Sequence, residues 1–204
     1  MKNKNILGVC ICLCIFLLTG CGQAKEPDVI DTPAIAVADN GRIVSYLVGV
    51  FDKEYYDVSG LTDMVVKEAA AYNTEHQSGE TVPVEVKKVE AMTDGSGKVV
   101  VTMEFDHWRT FSDYNSGVLF YGTVAQAQAE GYQLEGKLTD VKKNTPLTGE
   151  QMENEAGKHI LITDQKVRLY CPRKVTHLSA GAVLNGDGSV DTALAEDTVY
   201  ILMK

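Results

Sequence analysis

The chain has 204 residues, with 28 acidic and 19 basic side chains and a formal net charge of −9 at pH 7. The longest runs of basic residues are pairs, at 87–88, 142–143 and 173–174, whereas a protein that binds phosphate backbones needs clustered Lys and Arg. The composition therefore predicts no nucleic-acid partner. An acidic body is also repelled by anionic lipid headgroups, so surface charge alone does not predict membrane attachment.

The first twenty-one residues have three parts with separate physical roles. Lys2 and Lys4 give a positive start, residues 6–18 are almost entirely apolar, and small residues then precede Cys21. An apolar stretch of this length is too short to cross a bilayer core, which needs about 20 residues of helix. The pattern is typical of a secretory signal peptide.

Leu18-Thr19-Gly20-Cys21 resembles the lipobox of bacterial lipoproteins. The resemblance implies that Cys21 receives a diacylglyceryl group, that the chain is cut after Gly20, and that a fatty acid such as palmitate is added to the new amino terminus. Two or more acyl chains hold a protein on a membrane, whereas one gives only marginal binding. We therefore expect a lipid-anchored protein on the extracytoplasmic face of the cell membrane.

Cysteine usage agrees with this expectation. Of five cysteines, three lie within residues 1–20 and Cys21 is the expected acylation site, so Cys171 is left as the one thiol. The mature chain then has no pair for a disulfide and depends on its apolar core. Cys171 lies beside neither a helix start nor a histidine in the sequence, so we interpret it as a buried hydrophobic residue.

The mature sequence divides into two parts. Residues 21–40 contain two prolines and scattered acids without periodicity, which indicates a flexible tether. Residues 41–204 predict one domain, because the last fifty residues alone would be marginally stable. A division into two modules near residues 146–157 is the alternative.

Periodicity predicts an α+β fold, with a mixed or antiparallel sheet, two to four short helices and a strand-rich C-terminal third. The first predicted strand covers 42–51, and Ser59 is the expected N-cap of a helix that ends near 78–79. A hairpin follows, and Asp106 is expected to cap a helix that carries Trp108. Capping boxes begin helices after Thr123 and Thr148. Further strands are predicted at 82–86, 99–105, 118–121, 160–163, 167–170, 175–178 and 199–203.

Residues 185–191 resemble the middle of an EF-hand or dockerin calcium loop. Asn185, Asp187 and Asp191 would supply the oxygen ligands. The first and last ligand positions would fall on Val183 and Leu194, which cannot coordinate calcium. Asn-Gly and Asp-Gly are also common hairpin turns, and we favour a turn without metal. No cofactor is expected.

The densest polar and aromatic cluster is the stretch that contains Trp108, Arg109 and Tyr114. An aromatic ring beside a guanidinium group is a plausible platform for a sugar or peptide, although aromatic residues at helical spacing more often belong to the core. These three residues are the candidate ligand-binding residues.

Nucleophile elbows, phosphate-binding loops and close histidine pairs are absent from the sequence. Catalytic carboxylates leave no such signature, so an enzyme is disfavoured without being excluded. We expect a non-catalytic module that binds a ligand or an envelope partner. The alternatives are a carbohydrate-active hydrolase that uses carboxylates and a structural component of the envelope.

Overall fold

A computed structural model describes residues 24–27, 29–53 and 55–204. The expected signal peptide and Cys21 lie outside these residues. In the first half the elements are β1 Ala34–Val37, β2 Ile43–Val50, α1 Val58–His76, β3 Val84–Ala91, β4 Lys98–Phe105, α2 Trp108–Asn115, β5 Leu119–Thr123 and α3 Val124–Ala129. In the second half they are β6 Thr139–Asp140, α4 Gly149–Asn154, β7 His159–Thr163, β8 Arg168–Tyr170, β9 Val175–Leu178, β10 Val183–Leu184, β11 Val190–Asp191 and β12 Val199–Met203.

The strands that the structure describes form two sheets. A seven-stranded mixed sheet has the order β10-β11-β8-β1-β2-β4-β3, and a five-stranded antiparallel sheet has the order β5-β7-β12-β9-β6. In the described part of the chain the pair β1 and β8 is the one parallel pair. Within the described ranges there are four helices and, in the last third, several short strands, so the predicted α+β class is confirmed.

Among the described residues, three hydrophobic clusters define the layers. The largest contains side chains of both sheets together with Val65 and Ala69 of α1, and it includes Ile35, Phe105, Phe111, Leu161 and Ile201. A second covers the other face of the five-stranded sheet with α3 and α4. A third, smaller cluster lies on the outer face of the seven-stranded sheet. No helix in the described ranges is long and apolar enough to span a bilayer.

The expected tether contains a strand. Residues 34–37 form β1, and all four side chains are buried, so the tether prediction is wrong for this stretch. Ile35 and Val37 face the largest cluster, whereas Ala34 and Ala36 face the third. Burial on both faces removes the alternation of polar and apolar residues that normally reveals a strand.

Two helix starts differ from the expected ones by one or two residues. The N-cap of α1 is Asp57, whose carboxylate accepts from the backbone N–H groups of Ser59 and Gly60. The N-cap of α2 is His107, while Asp106 accepts a hydrogen bond from the Thr110 hydroxyl. Capping preference is shared by several residue types, so sequence alone does not place the cap to the residue. The capping boxes at α3 and α4 are both present as predicted.

Candidate functional site

The turn between β1 and β2 gathers polar side chains from distant parts of the chain. Gly41 has a φ of +88°, and a Cβ there would lie 3.7 Å from the His107 ring and 4.0 Å from the Tyr121 ring. The turn is closed by a hydrogen bond from the Gly41 N–H to the Ala38 carbonyl, at 3.0 Å. A glycine permits both this backbone conformation and the close approach of the two rings.

Asp39 forms the centre of the side-chain network on one side of this turn. Its Oδ1 accepts from Arg173 Nε at 2.5 Å and from the Tyr121 hydroxyl at 3.3 Å, and its Oδ2 accepts from Arg173 Nη2 at 3.1 Å. The hydrogen bond from Arg173 lowers the pKa of Asp39. Burial, with a smaller contribution from the Asp39 charge, raises the pKa of Tyr121 to about 12. Asp39 is therefore an ionised acceptor, and Tyr121 is a neutral donor.

Two histidines lie near this turn. The His159 ring is 5.3 Å from the Tyr121 ring, and its buried Nδ1 has no hydrogen-bond partner. The Nδ1 of His107 accepts from the Arg109 N–H at 3.2 Å, which places the proton of the neutral ring on Nε2. Burial lowers the pKa of both histidines, and the positive charges of Arg109 and Arg173 respectively add to this effect. We call Asp39, His107, Tyr121, His159 and Arg173 the Asp39 cluster.

A groove of about 380 Å³ lies on the other side of the turn, and we call it the acidic groove. Glu85 of β3 and Glu104 of β4 stand directly opposite each other across the strand pair. Arg42 pairs with Glu104, and the Lys87 ammonium lies 3.0 Å from Glu85 and 4.0 Å from Glu104. These cations offset the repulsion between facing carboxylates. The groove is lined by Asn40, Arg42, Thr81, Val82, Glu85, Glu104 and Asp106.

The chemistry available in the acidic groove is that of hydrogen bonding and charge. Carboxylates accept from hydroxyl, amide and ammonium groups, while Asn40 and Thr81 can both donate and accept. With Lys87 beside the lining, three carboxylates face two cations, and the remaining negative charge favours a ligand rich in donors over an anionic one. The groove thus suits a polar ligand such as a sugar or a basic peptide.

Two of the candidate calcium residues, Asn185 and Asp187, lie in a turn, and Asp191 lies in β11. Residues 185–189 join β10 to β11, which pair antiparallel. Asp187 Oδ1 accepts from both the N–H and the hydroxyl of Ser189, and Asp191 Oδ1 accepts from the Ala193 N–H. Among the residues that the structure describes, no group of three or more His, Cys, Asp or Glu side chains could hold a metal ion.

The candidate ligand-binding residues of α2 contact different neighbours. Trp108 is half-buried and packs 4.9 Å from the Phe120 ring, while the Arg109 guanidinium lies 4.3 Å from the centre of the Trp108 ring. Arg109 also forms an ion pair with Glu130. Tyr114 packs 5.5 Å from Phe105. Arg109 thus covers part of the surface that Trp108 would present to a ligand.

Cys171 is 8% exposed, and burial raises the pKa of its thiol to about 12. A thiol of this kind is not ionised at neutral pH and is a poor nucleophile.

No protein-family model, no curated protein and no solved structure gave a significant match to this chain.

The Asp39 cluster was not predicted from the sequence. Asp39 and Arg173 are separated by 134 residues, and Tyr121 lies 82 residues from Asp39. A short sequence motif cannot reveal contacts between residues so far apart in the chain, because it is the topology of the two sheets that brings them together. The Asn-Gly pair at 40–41, which is typical of a hairpin turn, was the one local signal.

Proposed function

We propose that this chain is a lipoprotein, held through Cys21 on the extracytoplasmic face of the cell membrane, and that its folded domain binds a polar ligand or envelope partner without catalysis. The anchor is supported by residues 18–21 and the leader before them. The binding role is carried by the acidic groove, because its charged side chains come from β3, from β4 and from the residues directly before β2 and α2. A site built on rigid strands holds its groups in fixed positions for recognition.

Anchoring is tested by replacing Cys21 with alanine. Acylation needs the cysteine thiol, so the variant is expected to accumulate as an unprocessed precursor that does not incorporate labelled fatty acid. The matched control is Cys171→Ala, which removes a buried thiol and is expected to be processed normally. Normal labelling and cleavage of the Cys21→Ala chain would contradict the proposal.

Ligand binding is tested by calorimetric titration of the purified protein with neutral oligosaccharides and with short basic peptides. Glu85→Gln removes one charge from the acidic groove and is expected to weaken binding several-fold. Glu90→Gln makes the same change farther along β3, outside the groove, and is expected to leave binding unchanged. Equal effects of the two variants, or no heat with either ligand class, would contradict a binding role for this groove.

A carbohydrate-active hydrolase is the second candidate, favoured by the facing carboxylates of Glu85 and Glu104. Glycosidases use two carboxyl groups on either side of the bond to be cleaved. Incubation with the same oligosaccharides, followed by measurement of released reducing ends, separates the two functions. Hydrolysis that is lost in Glu104→Gln would favour the enzyme, whereas binding without hydrolysis favours the module.

A further inference from the structure

The segment that follows the lipobox lies against the folded domain. Ala24 and Ile30 pack on a cluster of the seven-stranded sheet that includes Tyr46 and Tyr170. The Lys25 ammonium donates to the Asp187 carbonyl at 2.7 Å. These contacts connect the segment to the outer face of the sheet and to the turn between β10 and β11.

The position of Ala24 limits the distance between the domain and the membrane. Three residue steps separate Cys21 from Ala24, and a fully extended chain gains at most about 3.6 Å per residue, or roughly 11 Å in all. If Cys21 carries lipid, the part of the domain beside Ala24 and Lys25 must therefore lie close to the headgroups.

A groove of about 380 Å³ opens at this position, and we call it the cationic groove. Its lining contains Lys25, Arg173 and Lys174 and, among the described residues, no Asp or Glu. Arg173 is paired with Asp39, and the nearby Asp187 carboxylate offsets part of the Lys25 charge. Lys174 and the remaining charge of Lys25 are therefore left for a partner. The complete lining is Lys25, Cys171, Arg173, Lys174, Val175, Leu184, Asn185, Gly186 and Gly188.

An apolar edge adjoins these charges. Val183 and Leu184 of β10, the edge strand of the seven-stranded sheet, are 54% and 37% exposed. Apolar side chains beside lysines form the combination that interfacial protein segments use, since the lysines approach phosphates and the apolar groups enter the headgroup boundary. In a chain with 28 acids and 19 bases, this local excess of positive charge opposes the general repulsion from anionic lipid.

We propose that the cationic groove and the exposed edge of β10 lie on anionic phospholipid headgroups, so that the anchored domain has one orientation on the membrane. This inference rests on the proposed acylation of Cys21. The acyl chains supply the attachment, and Lys25, Lys174 and the β10 edge select which side of the domain faces the bilayer. The opposite side, with α1, then faces away from the membrane.

The orientation is tested with the acylated protein in vesicles of phosphatidylcholine and phosphatidylglycerol, some carrying a headgroup nitroxide. An environment-sensitive dye is attached at Leu184→Cys or, as the control, at Met64→Cys. Met64 is 58% exposed on α1, which packs on the inner face of the seven-stranded sheet. Cys171 is buried and does not compete for the dye. We expect quenching to be several-fold stronger at position 184 than at position 64.

Lys174→Glu is expected to reduce quenching at position 184, whereas Lys67→Glu makes the same charge change on α1 and is expected to leave it unchanged. Equal quenching at the two dye positions, or equal effects of the two lysine variants, overturns the proposed orientation. The intact mass is measured first. A mass without lipid on Cys21 overturns the anchor and the orientation with it, while an acylated chain with equal quenching overturns the orientation alone.

Discussion

The guanidinium of Arg173 donates two hydrogen bonds to the carboxylate of Asp39, from Nε at 2.5 Å and from Nη2 at 3.1 Å. This pair joins the turn between β1 and β2 in the seven-stranded sheet to the segment that precedes β9 in the five-stranded sheet. Two parallel hydrogen bonds between charged groups fix orientation as well as distance. The pair therefore stabilises the relative position of the two sheets at this end of the molecule.

Replacing Asp39 with Asn is expected to lower the free energy of unfolding by about 0.5 to 1 kcal/mol, the upper part of the range for partly exposed ion pairs. Asp39 and Arg173 are 48% and 35% exposed, so water screens much of their attraction. Arg173→Gln should lower the free energy of unfolding by a similar amount. The double variant should lose less than the sum of the two single losses. Urea denaturation measures all three, and full additivity would show that the residues act independently.

The same pair predicts a pH dependence at low pH. Arg173 lowers the pKa of Asp39, so the native state binds this proton less readily than the unfolded state, whose pKa is close to 3.8. The stabilisation is complete well above that value and is lost as pH falls through the lower pKa of the folded state. Between the unfolded and the folded pKa of Asp39, the wild type should lose more stability than Asp39→Asn. Urea midpoints across the acid range provide the measurement, and parallel curves for the two proteins would contradict the prediction.

Three histidines predict a second pH effect at mildly acidic pH. Burial lowers the pKa values of His107, His159 and His177, so each remains neutral in the folded protein at a pH where the unfolded chain, with a pKa near 6.5, is already protonated. Stability is therefore expected to fall as pH decreases from 6.5 toward the folded pKa values. His107→Asn should reduce this fall while keeping an N-cap acceptor. NMR titration of the histidine ring protons measures the folded-state pKa values directly. Values above 6.5 would refute the prediction.

The capping box of α4 predicts a specific loss of stability. The Thr148 hydroxyl accepts from the Gln151 N–H, and the Gln151 side chain accepts from the Thr148 N–H. Thr148→Ala is expected to cost about 1 kcal/mol because it leaves a helix N–H without a partner. Thr148→Ser keeps the hydroxyl and should cost much less. Thermal and urea unfolding compare the two variants, and equal losses would show that the methyl group matters more than the cap.

Two glycines with positive φ separate backbone strain from steric contact. Gly136 has a φ of +69° with no heavy atom within 4 Å of a Cβ, whereas Gly181 has a φ of +80° and its Cβ would lie 2.8 Å from the Ala195 Cα. Gly136→Ala should cost about 1 to 2 kcal/mol from conformation alone. Gly181→Ala should cost about 1 to 3 kcal/mol more, because the backbone of Ala195 must move. Similar unfolding free energies for the two variants would contradict this steric interpretation.

Asn73 predicts how strongly α1 is fixed to the seven-stranded sheet. Its Nδ2 donates to the Val84 carbonyl at 2.7 Å, and its Oδ1 accepts from the Val84 N–H at 2.9 Å. Asn73→Ala removes both hydrogen bonds and leaves the partly buried N–H and C=O of Val84 without these side-chain partners. The free energy of unfolding should fall by about 1 to 3 kcal/mol. Asn154→Ala removes an exposed bond within α4 and should cost about 0.5 kcal/mol or less. Unfolding by urea compares the two, and an equal cost would exclude a special role for Asn73.

The parts of the fold that the sequence predicted are those with a local physical signal. Alternating residues revealed β4, and capping boxes located the starts of α3 and α4. β1 was missed because Ala34 and Ile35 are both buried, on opposite faces, so the stretch shows no alternation. The Asp39 cluster was missed for a different reason, since its members are joined by topology over more than a hundred residues.

The parallel pairing of β1 with β8 has a consequence for the order in which the chain folds. Ala34 is paired with Arg168. Because the chain is synthesised from its N-terminus, 134 more residues must be added after Ala34 before its partner exists. Until then β1 can pair only with β2, and its other edge offers free N–H and C=O groups to any extended segment nearby. Contacts of such long range form late and slowly. A chain interrupted before β8 would thus present an open strand edge, which makes incomplete chains of this protein prone to aggregate or to need a chaperone until residue 170 is available.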